Sequence, residues 1–309
     1  MDALIATFLH VLDGMTHFLF LLIGLFIAKL FYDWTTPYKF SHELTEKDNT
    51  AVGVSLAGYL IGAGIALGGA LYSPSMSLLT DFAEVTLVAI TTIVLMRISV
   101  YINDLAILHS FKITKELVTD RNTGVGFVVA GSSIATGLML NGVLSGHSPT
   151  LAISIRDICV YWAVGQTILV LGGLFFQMIT PYDVHHIIGE EDNMPVGISF
   201  GGFLVALGII TRNALYGASS NLADETIVTL TLAICGLLLM VATRVIVDRV
   251  FLPNSPLAKE VVQDRNAAAG AIAAVSFIVV ALLFSASVNT HSPFSGESDP
   301  VAMVKTIDE

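Results

Sequence analysis

The residues with the clearest capacity for chemistry recur along the chain. An Asn-x-x-x-Gly step occurs four times, as Asn49 with Gly53, Asn122 with Gly126, Asn193 with Gly197 and Asn266 with Gly270. One or two positions before each Asn stands an acid: Asp48, Asp120, Asp192 and Asp264. Two readings fit this pattern. In the first, each Asn caps a helix, its side-chain oxygen accepting a backbone N–H that the first turn leaves unpaired. The Gly four residues on then lies on the same face, where a second helix can come close. In the second, four helix N-termini converge and frame a solute site. The acids would repel an anion, so a cation such as a polyamine or metal ion suits that ring better.

A second constellation, His42-x-x-x-Glu46, returns as His186-x-x-x-Glu190. Four-residue spacing puts an imidazole and a carboxylate on one helical face, which makes these four the candidates for a metal or for pH sensing. Two ligands per copy are few, and the residues follow a proline in a loop, so solvated polarity is the expectation. The chain has no nucleophile–base pair, phosphate loop or His-Glu-x-x-His. No enzyme activity, catalytic residue or cofactor is therefore expected.

The elements that position these residues follow from the spacing. The four Asn are 73, 71 and 73 residues apart, and a fixed period of this kind sets the architecture. The repeat is nested. A shift of 144 residues lays Thr36-Pro37-Tyr38 on Thr180-Pro181-Tyr182, Asp104 on Asp248, and Lys115-Glu116 on Lys259-Glu260. The two halves are thus copies of one module, spanning 1–146 and 147–289, followed by a Ser-, Pro- and acid-containing stretch at 290–309 that reads as a disordered external tail.

The composition is 54% hydrophobic and 13% charged, whereas soluble domains carry about a quarter charged residues. A helix needs about 20 apolar residues to cross a bilayer. Eight such runs stand at 15–35, 50–71, 82–103, 122–143, 154–179, 193–215, 224–246 and 266–288. The fold expected is an all-α polytopic membrane protein, with eight transmembrane helices in two tandem four-helix modules. An even number of spans per repeat makes the repeats parallel, and a pseudo-fourfold or twofold ring is the natural packing. The second and sixth spans, rich in Gly, are expected at its centre. Both cysteines, Cys159 and Cys235, lie in apolar runs, so no disulfide framework is expected. A net charge of -11 without basic patches excludes nucleic acid as a partner.

Lysine and arginine set the orientation. Lys39, Lys47, Lys112, Lys115, Arg121, Arg249, Lys259 and Arg265 all fall in loops on the motif side. The positive-inside rule makes that side cytoplasmic and both termini external. Lys29, Arg97 and Arg244 are expected to snorkel toward the same side. Near the other boundary, Arg156, Asp157 and Arg212 are candidates for ion pairing, and Glu84 stands out as a charge found in one module only. Asn141, Gln166 and Asn213 read as interhelical hydrogen bonds.

The pattern resembles a bacterial inner-membrane family of unknown function typified by the small YjfL proteins. Such proteins look like one module here: four spans, a Thr-Pro after the first, and two Asn-x-Ala-Ala-Gly-like helix starts. Thr36-Pro37, Thr180-Pro181 and the four Asn-to-Gly steps carry the likeness. The last copy alone keeps a clean Asn-Ala-Ala-Ala-Gly. The resemblance implies a tandem fusion in the bacterial plasma membrane, and no activity. Two functions are expected to compete: channel-like or facilitator-like transport of a small cation or polar metabolite along the module axis, and a scaffold or accessory subunit docking a cytoplasmic partner. Beyond the lipid bilayer the sequence names no partner and no oligomeric state.

Overall fold

The protein is described here by a computed structural model covering residues 2–70, 78–146, 150–216 and 222–289. The tail at 290–309 lies outside the described residues. All regular elements among the described residues are helical. In chain order the α-helices are α1 (Asp2–Thr35), α2 (Phe40–Thr45), α3 (Thr50–Gly69), α4 (Leu78–Ile102), α5 (Ile113–Lys115, continued by a π-helical turn at Glu116–Asp120) and α6 (Thr123–Leu144). The second half repeats the order as α7 (Leu151–Ile179), α8 (Val184–Gly189), α9 (Met194–Leu215), α10 (Leu222–Ile246), α11 (Leu257–Val262) and α12 (Ala267–Asn289). The eight long helices are long and apolar enough to cross a membrane. The four short ones all precede an Asn.

Local chemistry explains where each helix stops. Proline has no N–H and disfavours helix in its neighbour, so α1 and α7 end at the Thr-Pro steps. The carbonyls left over are taken by the threonine. Thr36 Oγ1 donates toward the carbonyls of Tyr32, Asp33 and Tyr38, and Thr180 Oγ1 toward those of Phe176, Gln177 and Tyr182. The next short helix is then tethered to the long helix before it. Phe40, Ile113, Val184 and Leu257 each donate a backbone N–H to the side chain of Asp33, Asp104, Gln177 and Asp248 respectively.

The long helices form two rows. One contains α3, α6, α9 and α12, each packed on the next; the other contains α1, α4, α7 and α10, laid over the first. Every repeat contributes one helix to each row. Within the first row backbones meet directly. A Cβ at Gly58 would stand 2.2 Å from Ala130 Cα, at Gly131 2.3 Å from Gly201 O, and at Gly202 2.5 Å from Ala274 Cα. Lipid supplies no hydrophobic drive for helix association, so contact of this closeness is what holds such helices together.

The row does not close, and this corrects the expected ring. Its ends, α3 and α12, are not packed against one another. Gly64 and Gly68 on α3 meet nothing within 4 Å, and Val275, Val279 and Leu282 on α12 are exposed. The physical reason is that each helix spends one face on the helix before it and another on the helix after it, which builds a line of neighbours. Accordingly the most deeply buried helices are α6 and α9, in the middle of the row, rather than the second and sixth spans as a pair.

Arg97 also departs from expectation. It is buried rather than snorkelling, donating to Thr35 Oγ1 at 2.5 Å and the Thr35 carbonyl at 2.9 Å, with its guanidinium over the Tyr32 and Tyr101 rings. It thereby pins α4 to the end of α1. At the opposite end of the helices Arg212 donates to Asn141 Oδ1, 2.7 Å, and pairs with no acid among the described residues, while Arg156 does pair with Asp157. Asn141 in turn donates to the Ile65 carbonyl and Gln166 to Thr136, so both bond between helices. Glu84 is exposed on α4.

Gly137→Ala is expected to destabilise the protein by about 1–3 kcal/mol through overpacking, because a Cβ there would stand 2.1 Å from Gly62 O. Gly64→Ala, in open space, is expected to leave the detergent-solubilised monomer unchanged or stabilise it by about 0.5–1 kcal/mol. Thermal unfolding of the two variants in parallel checks the packing of the row.

Candidate functional site

Each Asn sits where a short helix ends and a long one begins. The residue before it is left-handed in all four copies: Asp48 (φ 48°), Arg121 (φ 54°), Asp192 (φ 51°) and Arg265 (φ 48°). That conformation ends a helix by letting the following N–H reach back six residues. Asn49, Asn122, Asn193 and Asn266 accordingly donate their backbone N–H to the carbonyls of Glu43, Glu116, Ile187 and Glu260. The same residue then starts the next helix. Its Oδ1 accepts from Val52, Val125, Val196 or Ala269 in the four copies.

The amide nitrogen is used as well. Asn49 Nδ2 donates to the Leu117 carbonyl at 2.8 Å, Asn122 Nδ2 to Ile188 at 2.6 Å and Asn193 Nδ2 to Val261 at 3.0 Å. In each case the acceptor lies five residues before the next Asn, so every tie runs from one repeat to its successor. A second acceptor is a carboxylate six residues upstream: Glu43 for Asn49, Glu116 for Asn122 and Glu260 for Asn266. The third repeat has Ile187 there, and Asn193 leans on the Val262 carbonyl instead. The motif glycines complete the junctions. Cβ atoms at Gly126, Gly197 and Gly270 would stand 2.7, 2.3 and 2.4 Å from the carbonyl oxygens of Ala51, Gly124 and Pro195.

Asn49, Asn122 and Asn193 are fully buried and their hydrogen bonds are made inside the protein; Asn266, in the last repeat, is half-buried. The four acids are exposed and divide into two kinds. Asp48 and Asp192 occupy the left-handed turn themselves. Asp120 and Asp264 precede a left-handed Arg and face lysines, at 2.8 Å from Lys115 and 3.8 Å from Lys259. Partial desolvation against the protein surface and the neighbouring charge of Asp120 push the Asp192 carboxyl above its ordinary value. Arg265 reaches back to the Glu191 carbonyl. His42 pairs with Glu46 at 3.0 Å and His186 with Glu190 at 3.2 Å, on α2 and α8. No third ligating group joins either pair among the described residues.

The sequence repeats Glu116 as Glu260 but does not mark the upstream glutamates as partners of the asparagines, although Glu43 and Glu116 are separated by the same 73 residues as Asn49 and Asn122. Both are buried, and they differ in their company. Burial pushes Glu43 up, but hydrogen bonds from Lys47 and Asn49 and the charge of Lys47, 2.7 Å away, outweigh it and hold the carboxyl below its ordinary range. Burial pushes Glu116 up too. There the Asn122 hydrogen bond and Lys115, 3.9 Å away, offset only part of it, with Asp120 and Asp192 adding to the rise.

A helix row of this kind, tied at one end and packed backbone to backbone along its length, defines a multi-pass helical membrane protein built by tandem repetition. The model of the family described as Domain of Unknown Function (DUF350) matches the chain twice, over residues 4–144 and 150–288, and the chain belongs to that family. No curated protein and no solved structure matches it.

Asn122→Ala removes a cap and strands both the Ile188 carbonyl and Glu116, and is expected to cost about 2–4 kcal/mol. Asn266→Ala loses chiefly the cap, about 1 kcal/mol; chemical unfolding in detergent separates the two. The glutamates give opposite pH signatures. A carboxyl held below its unfolded value stabilises the fold above that value and loses the contribution as pH falls. A raised one stabilises below its unfolded value and loses the contribution as pH rises. Glu43→Gln is therefore expected to destabilise at pH 7, with the loss fading as pH falls below the ordinary value of 4.5. Glu116→Gln is expected to stabilise at pH 7, with the gain gone once pH is below 4.5. Unfolding measured from about pH 2 to about 8 checks both signs.

Proposed function

We propose that this protein is a non-transporting scaffold of the bacterial inner membrane, docking a cytoplasmic partner on the short helices at its motif end. The observation that carries the reading is the packing of the row: α3, α6, α9 and α12 meet at their backbones, and three of the four motif asparagines are consumed as buried ties. A polar solute crossing by these residues would need the hydrated space that the ties occupy. The row's uncovered face offers no polar track either. On α6 it presents Phe127, Ile134 and Leu138 beyond Thr123, and on α9 Met194, Ile198, Val205 and Ile209, with Arg212 only at the far end.

The docking half of the reading is supported by the regularity of the motif end. Four short helices are tethered at both ends, and α2 and α8 display the same exposed His–Glu pair. The lysines and arginines concentrated there favour the cytoplasmic side for this end. Such a surface is rigid and repeats itself across the protein, which suits a partner that reads spacing.

The test is flux and capture on one preparation. Purified protein in liposomes is expected to pass potassium, magnesium and spermidine no faster than protein-free vesicles. Photo-crosslinkers placed at Glu46 and at Glu190 in native membranes are expected to trap the same cytoplasmic protein. Saturable flux of any of the three cations would overturn the reading in favour of transport.

A further inference from the structure

The two ends of the row are complementary halves of the junction that the chain makes three times internally. We propose that a second copy of this chain docks there, its α3 packing on α12 of the first, so that the row of helices continues from copy to copy. The inference goes beyond the scaffold reading and stands independently of it, on the repeat geometry alone.

The evidence is positional. Each internal junction has an Asn amide of one repeat on a carbonyl five residues before the Asn of the next, and a motif Gly of the next repeat against the carbonyl two residues after the Asn of the first. Applied once more, the rule pairs Asn266 with the Leu44 carbonyl, and Gly53 with the Ala268 carbonyl, of adjoining copies. All four residues are at the open ends. Asn266 Nδ2 reaches Glu260 and, unlike Asn49, Asn122 and Asn193, no carbonyl of a following repeat. Gly53 is the one motif glycine without a backbone against it: a Cβ there would meet only the Leu44 side chain, at 3.4 Å. Beside it lies an open groove of about 420 Å³ lined by Leu44, Asn49, Gly53, Val54 and Ala57 among others. Ala268 is exposed.

Further along the helices the match continues. Gly137 and Gly208 press on the neighbouring helix at the position that Gly64 holds on α3, and Gly64 meets nothing. By the same register Gly64 falls opposite Val279 of the adjoining copy, and Ala57 opposite Val275. These valines replace the Gly and Ala of the internal junctions. The seam is consequently tight at the motif end and wider toward the other, with larger side chains of α12 filling the hollows of α3. A heterologous contact of this kind has different patches on its two sides, and it yields a ring or an open line, not a pair that stops at two.

The test is cysteine crosslinking in membranes, in a background carrying Cys159→Ser and Cys235→Ser. The double variant Ala57→Cys with Val275→Cys is expected to give a ladder of dimers, trimers and higher species on oxidation, and each single variant none. Gly64→Leu added to the double variant is expected to abolish the ladder while leaving the unfolding temperature of the detergent-solubilised monomer unchanged, since that position is open within one chain. Absence of a ladder from the double variant, crosslinking by either single variant, or a ladder that survives Gly64→Leu would overturn the proposal.

Discussion

A buried carboxamide with both of its ends engaged is the interaction on which this structure depends. In lipid, apolar side chains gain nothing by leaving the bilayer for one another, so helices associate through close packing and through polar groups that have nowhere else to turn. Asn meets both needs at one position. Its oxygen closes the first turn of its own helix and its nitrogen fastens the next repeat, while the glycine one turn later lets the two backbones touch. Water competes poorly at such a site, and a lost partner is costly in a low-dielectric surrounding. Three such ties, at Asn49, Asn122 and Asn193, convert a repeat in sequence into a row in space.

The second row follows from the first. Helices α1, α4, α7 and α10 are apolar on most of their surface and cover the tied row on one face. They are held by a few specific polar contacts. Arg97 fastens α4 to α1, Trp162 donates to Ser99 across α7 and α4, and Gln166 donates to Thr136 across α7 and α6. Burial is shared unequally: 83% of the most apolar stretch of α6 is inside the protein, 33% of that of α12, and 6% of that within Gly14–Thr35 of α1. That gradient marks which helices are surrounded by protein and which face lipid.

Much of this was legible in the sequence. The period, the eight apolar runs and the likeness to a family of unknown function are direct consequences of residues that can be counted, and the all-helical architecture follows from them. The arrangement of helices was not legible, because a ring and an open row use the same glycine faces and differ only in whether Gly53 and Gly64 find a neighbour. The left-handed turns were hidden for a chemical reason: Asp and Arg stand at positions where Gly is the usual signal. The bond that Glu43, Glu116 and Glu260 make to their asparagines was hidden because Ile187 breaks the series in the third repeat. Arg97 misled because proximity to a helix end is ordinarily enough for an arginine to reach the headgroups, and here three hydroxyl and carbonyl groups claimed it first.

The direction of the ties has a consequence for how the chain is made. Asn49, Asn122 and Asn193 each wait for a carbonyl that lies further along the chain, so during synthesis none of the first three repeats is complete until its successor has entered the membrane. Neighbours in the row are neighbours in sequence, and each new hairpin can be received by a surface that already exists, as in soluble solenoids where stability is a sum over adjacent units. Assembly therefore needs contacts only between adjacent repeats and no long-range search. The same property makes duplication inexpensive for this architecture: a module copied in tandem meets, at its first junction, a socket already cut to receive it.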